Sequence, residues 1–320
     1  KAGNADGSIP AYTGGIENTL GYDPARSSRY VDPFKDEKPL YSVTAENMAQ
    51  YRALLAPGTQ ALLQTHPDYR LDVYPSHRSV RYPPWVVENT LKNATTARVG
   101  GSVEGDSLEG GDSGNVPFAG VPFPITKTGY EVMWNHAVHY SAAVCMFTGS
   151  SLTVDANGNP SEPTVADDYW VYPWYDRSGE LRRQTANSIF VFKATLISPP
   201  VKSGGAFLTH YPANMAPGPK AWFYTPGQRR VRLAPDFTYD SFISEGVYWD
   251  ELGGYLGRLD RFQFTLRGKR EMLVPYNVFG VTNTLKTADS LGRKFIKPEA
   301  VRWEQEGVWV VDAARKPGAS

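Results

Sequence analysis

The chain holds a single cysteine, Cys145, in 320 residues. An internal disulfide and a cysteine-based zinc site are therefore both excluded. The neighbours Ala142, Ala143, Val144 and Met146 predict a buried, inert thiol. A charge of one sign is lacking as well. The 33 basic residues balance the 33 acidic ones, so no net field draws the chain to nucleic acid or to an anionic membrane surface. No apolar run approaches the roughly 20 residues that a membrane-spanning helix requires. Between the strand-like segments there are no helical patterns long enough for parallel crossovers, which excludes the doubly wound folds. No Gly-x-Ser-x-Gly elbow is present. The chain starts at Lys1 without methionine or signal peptide, which reads as a processed or trimmed secreted protein.

What the chain has is aromatic sheet. Aromatic residues make up 13% of it, with Tyr (19) and Trp (8) prominent. Residues 220–236, KAWFYTPGQRRVRLAPD, predict two strands and a turn. Ala221, Trp222, Phe223, Tyr224 and Thr225 suit a pleated surface, and Val231 and Leu233 alternate with Arg230 and Arg232. Pro226-Gly227 predicts a type II corner between them. Further strands are expected at 148–154, 165–172, 187–197, 206–211, 260–267, 269–275 and 308–313, with Asn157-Gly158 and Gly268 marking turns. In residues 262–266, Phe262, Phe264 and Leu266 share one face.

Ahead of the strands, residues 1–38 are dense in Gly and Pro and predict an extended arm that buries Ile9, Tyr12, Ile16, Leu20, Tyr22, Tyr30 and Phe34 one at a time. Short helices are expected after Thr44, around Leu62 and Leu63, and from Pro83-Pro84 through Trp85 to about Ala97. Residues 100–120 are rich in Gly and acidic side chains and predict a mobile loop. It lacks the Lys-Ser or Lys-Thr ending of a phosphate loop, and its carboxylates would repel an anion. Residues 39–320 are then read as one domain.

Catalytic and metal-binding patterns are weak. His136 and His139 face opposite sides if their segment is a strand, and come together only if it is helical. His66, His77 and His210 stand isolated in sequence. Residues 155–159 place oxygens at alternate positions, but Pro160 stands where a calcium loop needs glycine. No catalytic residue, metal ligand or cofactor is assigned, and an enzyme is not expected. The cations Arg229, Arg230 and Arg232 either meet a lipid head group or acidic partner, or protect an exposed strand edge.

Several motifs in order carry a resemblance: GNADGSIPAYTGGI, DPFKDEKPLYSVTAENMAQY, PDYRLDVYPSHRS, GVPFPI, WFYTPGQRRVRLAPDFTYD and GKREMLVPYN. They resemble a bacterial family of unassigned function, labelled outer-membrane lipoprotein-sorting-like. The resemblance implies a Gram-negative periplasmic protein secreted by a cleaved signal peptide, often encoded beside exporters of the resistance-nodulation-division type. It also implies a sheet similar to that of the lipoprotein carriers LolA and LolB. Family members usually continue with further strands beyond the VWVVDAARKPG region.

The expected fold class is α+β, mainly β: a large curved antiparallel sheet, an incomplete barrel, with a few helices against its concave face. The expected function is a carrier or receptor for a lipid or other hydrophobic molecule, working with an envelope exporter or outer-membrane protein. Its apolar hollow would be lined by Trp222, Tyr224, Phe262, Phe264, Leu266 and Trp85. A structural adaptor of an envelope complex is the alternative, and an enzyme acting on envelope glycan or lipid comes third.

Overall fold

The computed structural model describes the chain except residues 1, 18–20, 22, 24–29, 102, 104, 113–114, 186–187, 235–240, 245–246, 257, 285–289 and 318–320. In chain order its elements begin with β1 (Tyr41–Val43), α1 (Met48–Tyr51), α2 (Pro57–Thr65), β2 (Leu71–Val73), α3 (Pro84–Thr96), β3 (Arg98–Gly100), β4 (Ser107–Glu109) and α4 (Gly129–Ala137). Then come β5 (Val144–Ser151), β6 (Thr164–Val171), α5 (Glu180–Gln184), β7 (Ser188–Ser198), β8 (Ala206–Pro212), β9 (Lys220–Thr225) and β10 (Arg230–Ala234). The last are β11 (Phe242–Ser244), β12 (Val247–Tyr248), β13 (Phe262–Pro275) and β14 (Trp303–Arg315). The class is α+β and mainly β.

Instead of the one domain read from residues 39–320, the chain divides into two compact units, and the arm belongs to the first of them. The first comprises residues 1–81, 156–158 and 268–310 and the second residues 82–155, 159–267 and 311–320, so that two of the boundaries fall inside the longest strands, before Gly268 in β13 and after Val310 in β14.

The first unit holds a mixed sheet in the order β1-β2-β14-β13. β1 and β2 are antiparallel, whereas β14 meets β2 in parallel at Trp303 and Val73. Val43, Leu63, Leu71, Val73, Leu273 and Trp303 close its core. Pro57 opens α2 at its first position, where a missing N–H costs nothing. From the arm, Ile9 is buried, Tyr12, Ile16 and Phe34 are half-buried, and Tyr30 is exposed. Leu20 and Tyr22 lie outside the described residues.

The second unit is built on a six-stranded antiparallel meander, β10-β9-β8-β7-β6-β5. Trp134, Trp174, Ile189, Phe190, Phe192 and Ala221 are central in its core. α4 starts where Thr128 accepts from the Glu131 N–H and Glu131 reaches back to the Thr128 N–H, a capping box that satisfies two end donors at once.

Three local expectations change. Among the described residues of 100–120, Asp106, Ser107, Leu108, Val116 and Gly120 are buried and β3 pairs with β4, so these are not part of a loose loop. Their glycines serve close approach, since a Cβ on Gly105 would lie 2.2 Å from the Tyr130 ring and one on Gly120 would lie 2.5 Å from the Thr90 nitrogen in α3. Gly268 does not reverse the chain. It takes φ +103° inside the continuous strand β13, which absorbs one left-handed residue without a second turn position to complete a reversal. Of the stretch 220–236, residues 220–234 form the expected hairpin, but not on a type II corner. Residues 226–228 make a single helical turn and Arg229 takes the positive φ, so four residues connect Thr225 to Arg230.

Candidate functional site

Cross-strand register sorts the side chains of the meander between its two faces. Trp222 and Tyr224 sit opposite Leu233 and Val231 on β10 and opposite Leu208 and Ala206 on β8. Paired residues share a face, so these form one apolar stripe. Ala221, which alternates with Trp222, points into the core with Phe192 and Tyr211. The stripe is therefore on the outer side of the meander. Val231 is 66% and Leu233 55% exposed, and Met146 at the far strand is exposed on the same face. His210 flanks Trp222, with ring centroids 5.3 Å apart.

The other residues expected to line a hollow are elsewhere. Phe264 is in the core of the second unit, its ring 5.4 Å from Tyr130 and 5.8 Å from Tyr255. Phe262 joins the same cluster 6.1 Å from Tyr255, and Leu266 is half-buried on β13. Trp85, on α3, packs edge-on to Tyr140 and Tyr175 under the Arg177 guanidinium. The six do not converge on one cavity. The reason is register: Trp222 and Tyr224, both half-buried, fall on the face of the meander opposite Ala221, while Phe262 and Phe264 pack into the core cluster.

Among the described residues, one cavity of about 10 Å³ lies between Met133, Ile189, Tyr211 and Leu259, and one of about 20 Å³ lies beside His136, His139, Trp170 and Tyr172. Each has room for about one water molecule. An aliphatic tail does not fit in either.

Arg229, Arg230 and Arg232 are all exposed. Arg232 pairs with Phe223 and Arg230 with Thr225, which puts both on the face opposite Trp222, while Arg229 caps the hairpin tip. β10 ends the strand order of the meander, so cations alternate with Val231 and Leu233 along a terminal strand.

The histidines are also resolved by the fold. His136 is helical, on α4, and comes to a centroid distance of 6.1 Å from His139. One nitrogen of each ring meets a backbone carbonyl, Tyr255 for His136 and His136 itself for His139. Burial, and then the neighbouring His139, hold the pKa of His136 below its ordinary value. Among the described residues no group of three or more His, Cys, Asp or Glu side chains is placed to hold a metal ion. The Cys145 sulfhydryl donates to the Ser141 carbonyl, and burial raises its pKa.

His77, isolated in sequence, sits in a charged network that sequence reading missed. Glu304 is fully buried and accepts from Arg302 Nε at 2.5 Å, from Asn277 Nδ2 at 3.0 Å and from the His77 N–H at 2.6 Å. Arg302 also donates to Glu37 at 2.7 Å and to the Pro75 carbonyl at 2.8 Å. Phe34 stacks on the His77 ring at 4.2 Å. Charged residues spaced through the 34–37, 74–79 and 302–304 segments gave no local signal of this meeting.

Glu306 lies nearby. Burial, with the Glu304 charge second, raises its pKa from the carboxylate range to about 7. A carboxyl raised in the folded state binds its proton there at pH values where the unfolded chain has lost it. Its contribution to stability is therefore present at low pH and lost as pH rises toward and through about 7. In urea unfolding, Glu306 is expected to contribute a fall of about 1 kcal/mol between mildly acidic and mildly alkaline pH, the full shift being discounted for solvent screening of a half-buried group. Glu306→Gln should flatten that slope, and an unchanged slope would remove Glu306 as its source.

With the geometry described, similarity to known proteins can be placed. Residues 42–320 match the family described as "Protein of unknown function (DUF1329)". The chain belongs to the DUF1329 family. The sequence is 34% identical over 325 aligned residues to "Uncharacterized protein PA3922" of Pseudomonas aeruginosa, covering 99% of this chain and 69% of that protein. Two crystal structures show weaker likeness. One is a DUF1329 family protein from Desulfovibrio piger, with TM-score 0.32 and 15% identity over 44% of this chain and 54% of that one. The other is a putative outer membrane lipoprotein-sorting protein domain from Vibrio parahaemolyticus, with TM-score 0.30 and 12% identity over 55% of this chain and 66% of that one. The DUF1329 assignment agrees with the resemblance carried by the sequence motifs.

Proposed function

We propose that this DUF1329 chain is a non-enzymatic, carrier-type protein of the Gram-negative periplasm that holds the apolar part of a lipid or other hydrophobic molecule on the open outer face of its meander. The observation that carries the reading is one apolar stripe made of half-buried Leu208, Trp222 and Tyr224 with exposed Val231 and Leu233, while the two cavities of the second unit are too small for an acyl tail. An exposed apolar patch of this kind is uncommon on a protein that works alone. The periplasmic setting rests on the sequence motifs rather than on geometry.

An open face differs from a hollow in one physical respect. Taking about a dozen methylenes out of a bilayer costs roughly 10 kcal/mol, and a flat surface shields only one side of such a tail. A second surface must close over the other side. The proposal therefore includes a partner, an exporter of the resistance-nodulation-division type or an outer-membrane protein. Arg229 at the hairpin tip is suited to its acidic groups or to a head group.

Native mass spectrometry of protein taken from bacterial envelopes tests the reading. Co-purifying lipid that is lost in Trp222→Asp supports it. Because Trp222 packs on an open face, the variant is expected to unfold close to the parent midpoint while binding weakens by about 2 kcal/mol, roughly thirtyfold. Lipid retained by a folded Trp222→Asp protein rules out the outer face. A protein that holds a partner but never a lipid supports the adaptor instead, a reading that the one-sided shape of the stripe favours.

A further inference from the structure

The two ends of the meander are built differently. β10 ends the strand order on one side and β5 on the other. β10 carries exposed Arg230 and Arg232, charges of the kind that keep a free strand edge from pairing with another sheet. β5 carries none. Residues 140–154 hold neither a charged side chain nor a proline, and within them β5 runs for eight residues, Val144–Ser151. Val144 is 46%, Met146 66% and Phe147 43% exposed. Among the described residues, no backbone group of residues 144–149 bonds to anything but β6.

An edge of this kind presents a row of N–H and C=O groups, and what completes it is another strand. A charged partner strand finds no counter-ion on β5. β10 of a second copy would bring Arg230 and Arg232 against an uncharged strand with no anion to meet them, and would join copies head to tail into rings or filaments. β5 of a second copy has neither fault. Residues opposite each other in an antiparallel pair share a face, so a two-fold axis normal to the sheet passes through a residue of β5 and not between two. Centred on Phe147, it sets Met146 against Thr148 and Cys145 against Gly149, a larger side chain against a smaller one each time. On the axis Phe147 meets its twin. Its ring already lies edge-on to Trp170 at 5.6 Å, and the exposed remainder is what the second ring would cover.

We propose that β5 is a self-recognition edge, at which two copies of this chain pair β5 to β5 in antiparallel about a two-fold axis at Phe147 and join their meanders into one continuous sheet. The inference goes beyond the carrier reading and does not rest on it, because it uses the edge of the sheet rather than its outer face.

Sedimentation equilibrium of the full chain tests the proposal. A contact one strand long is small beside a stable interface, so a dissociation constant on the order of 10 μM is expected. Met146→Lys, which gives β5 the kind of charge that β10 has, should raise that constant about tenfold or more. Because Met146 is largely exposed, the variant should keep the parent urea midpoint. Val231→Lys on β10 and Trp222→Asp on the outer face should leave dimerisation unchanged, so this proposal and the outer-face reading fail separately. In a Cys145→Ser background, Phe147→Cys should cross-link two chains under mild oxidation, since facing Cα atoms in an antiparallel pair are about 4.5 to 5.5 Å apart. Met146→Cys, displaced from the axis, should not. A chain that stays monomeric at about 200 μM, an open-ended series of oligomers, a dimer that survives in folded Met146→Lys, or a dimer without the Phe147→Cys cross-link overturns the proposal.

Discussion

Phe264→Ala is expected to destabilise the chain by about 3 to 5 kcal/mol, the cost of emptying a ring-sized space in a packed core. The side chain is 6% exposed and touches the rings of Tyr130, Tyr255 and Phe262 at centroid distances of 5.4, 5.8 and 6.0 Å. Relaxation is restricted on one side. α4 begins at Gly129 so close to the strand that a Cβ there would lie 2.4 Å from the Phe264 carbonyl oxygen. The helix end cannot collapse further into the vacated space. Urea unfolding of the second unit would report the loss, and a change below about 1 kcal/mol would mean that the ring is not core. Such a result would return Phe264 to the role of a cargo-lining residue.

Arg302→Ala is expected to be comparably severe, about 3 to 5 kcal/mol, because it leaves a buried anion without its cation. Glu304 is 0% exposed and would keep only the Asn277 and His77 donors. The same substitution releases the arm. Arg302 holds Glu37 and lies over the Phe34 and Tyr74 rings at 5.0 and 4.6 Å. Burial works against the Glu37 carboxylate, yet hydrogen bonds from Arg302 and His77 keep its pKa below the ordinary range. Arg302→Lys should recover little, since one ammonium cannot reproduce a fork that reaches Glu304, Glu37 and the Pro75 carbonyl. Limited proteolysis near residues 32–40 measured beside urea unfolding separates the two effects. An Arg302→Ala protein as stable as the parent, with that segment still protected, would show that the network is dispensable.

These contrasts bear on how the chain can be read. α3 was legible because Pro83-Pro84 and the spacing of Trp85, Val86 and Leu91 are local signals, and the helix runs over Pro84–Thr96. α4 was not, because EVMWNHAVHY reads equally well as an apolar strand. Its one decisive local sign was the Thr128-x-x-Glu131 pair just ahead. The Gly-rich segment misled for a different reason. Glycine marks both freedom and close approach, and only the neighbours of Gly105 and Gly120 tell which applies.

By itself the sequence determined the family, the mainly-β class, and which residues alternate to one side of each strand. Trp222 with Tyr224, and Phe262 with Phe264, were sorted into pairs by a period of two that needs no tertiary information. Which side of a strand is covered was decided only by the tertiary structure, because it depends on what distant segments pack there. The Trp222 and Tyr224 side of β9 stays half-buried, whereas Phe264 on β13 packs on Tyr130 and Tyr255. β5 follows the same logic: its uncharged run was there to be read, and its place at the end of the strand order was set by which strands the fold brought together.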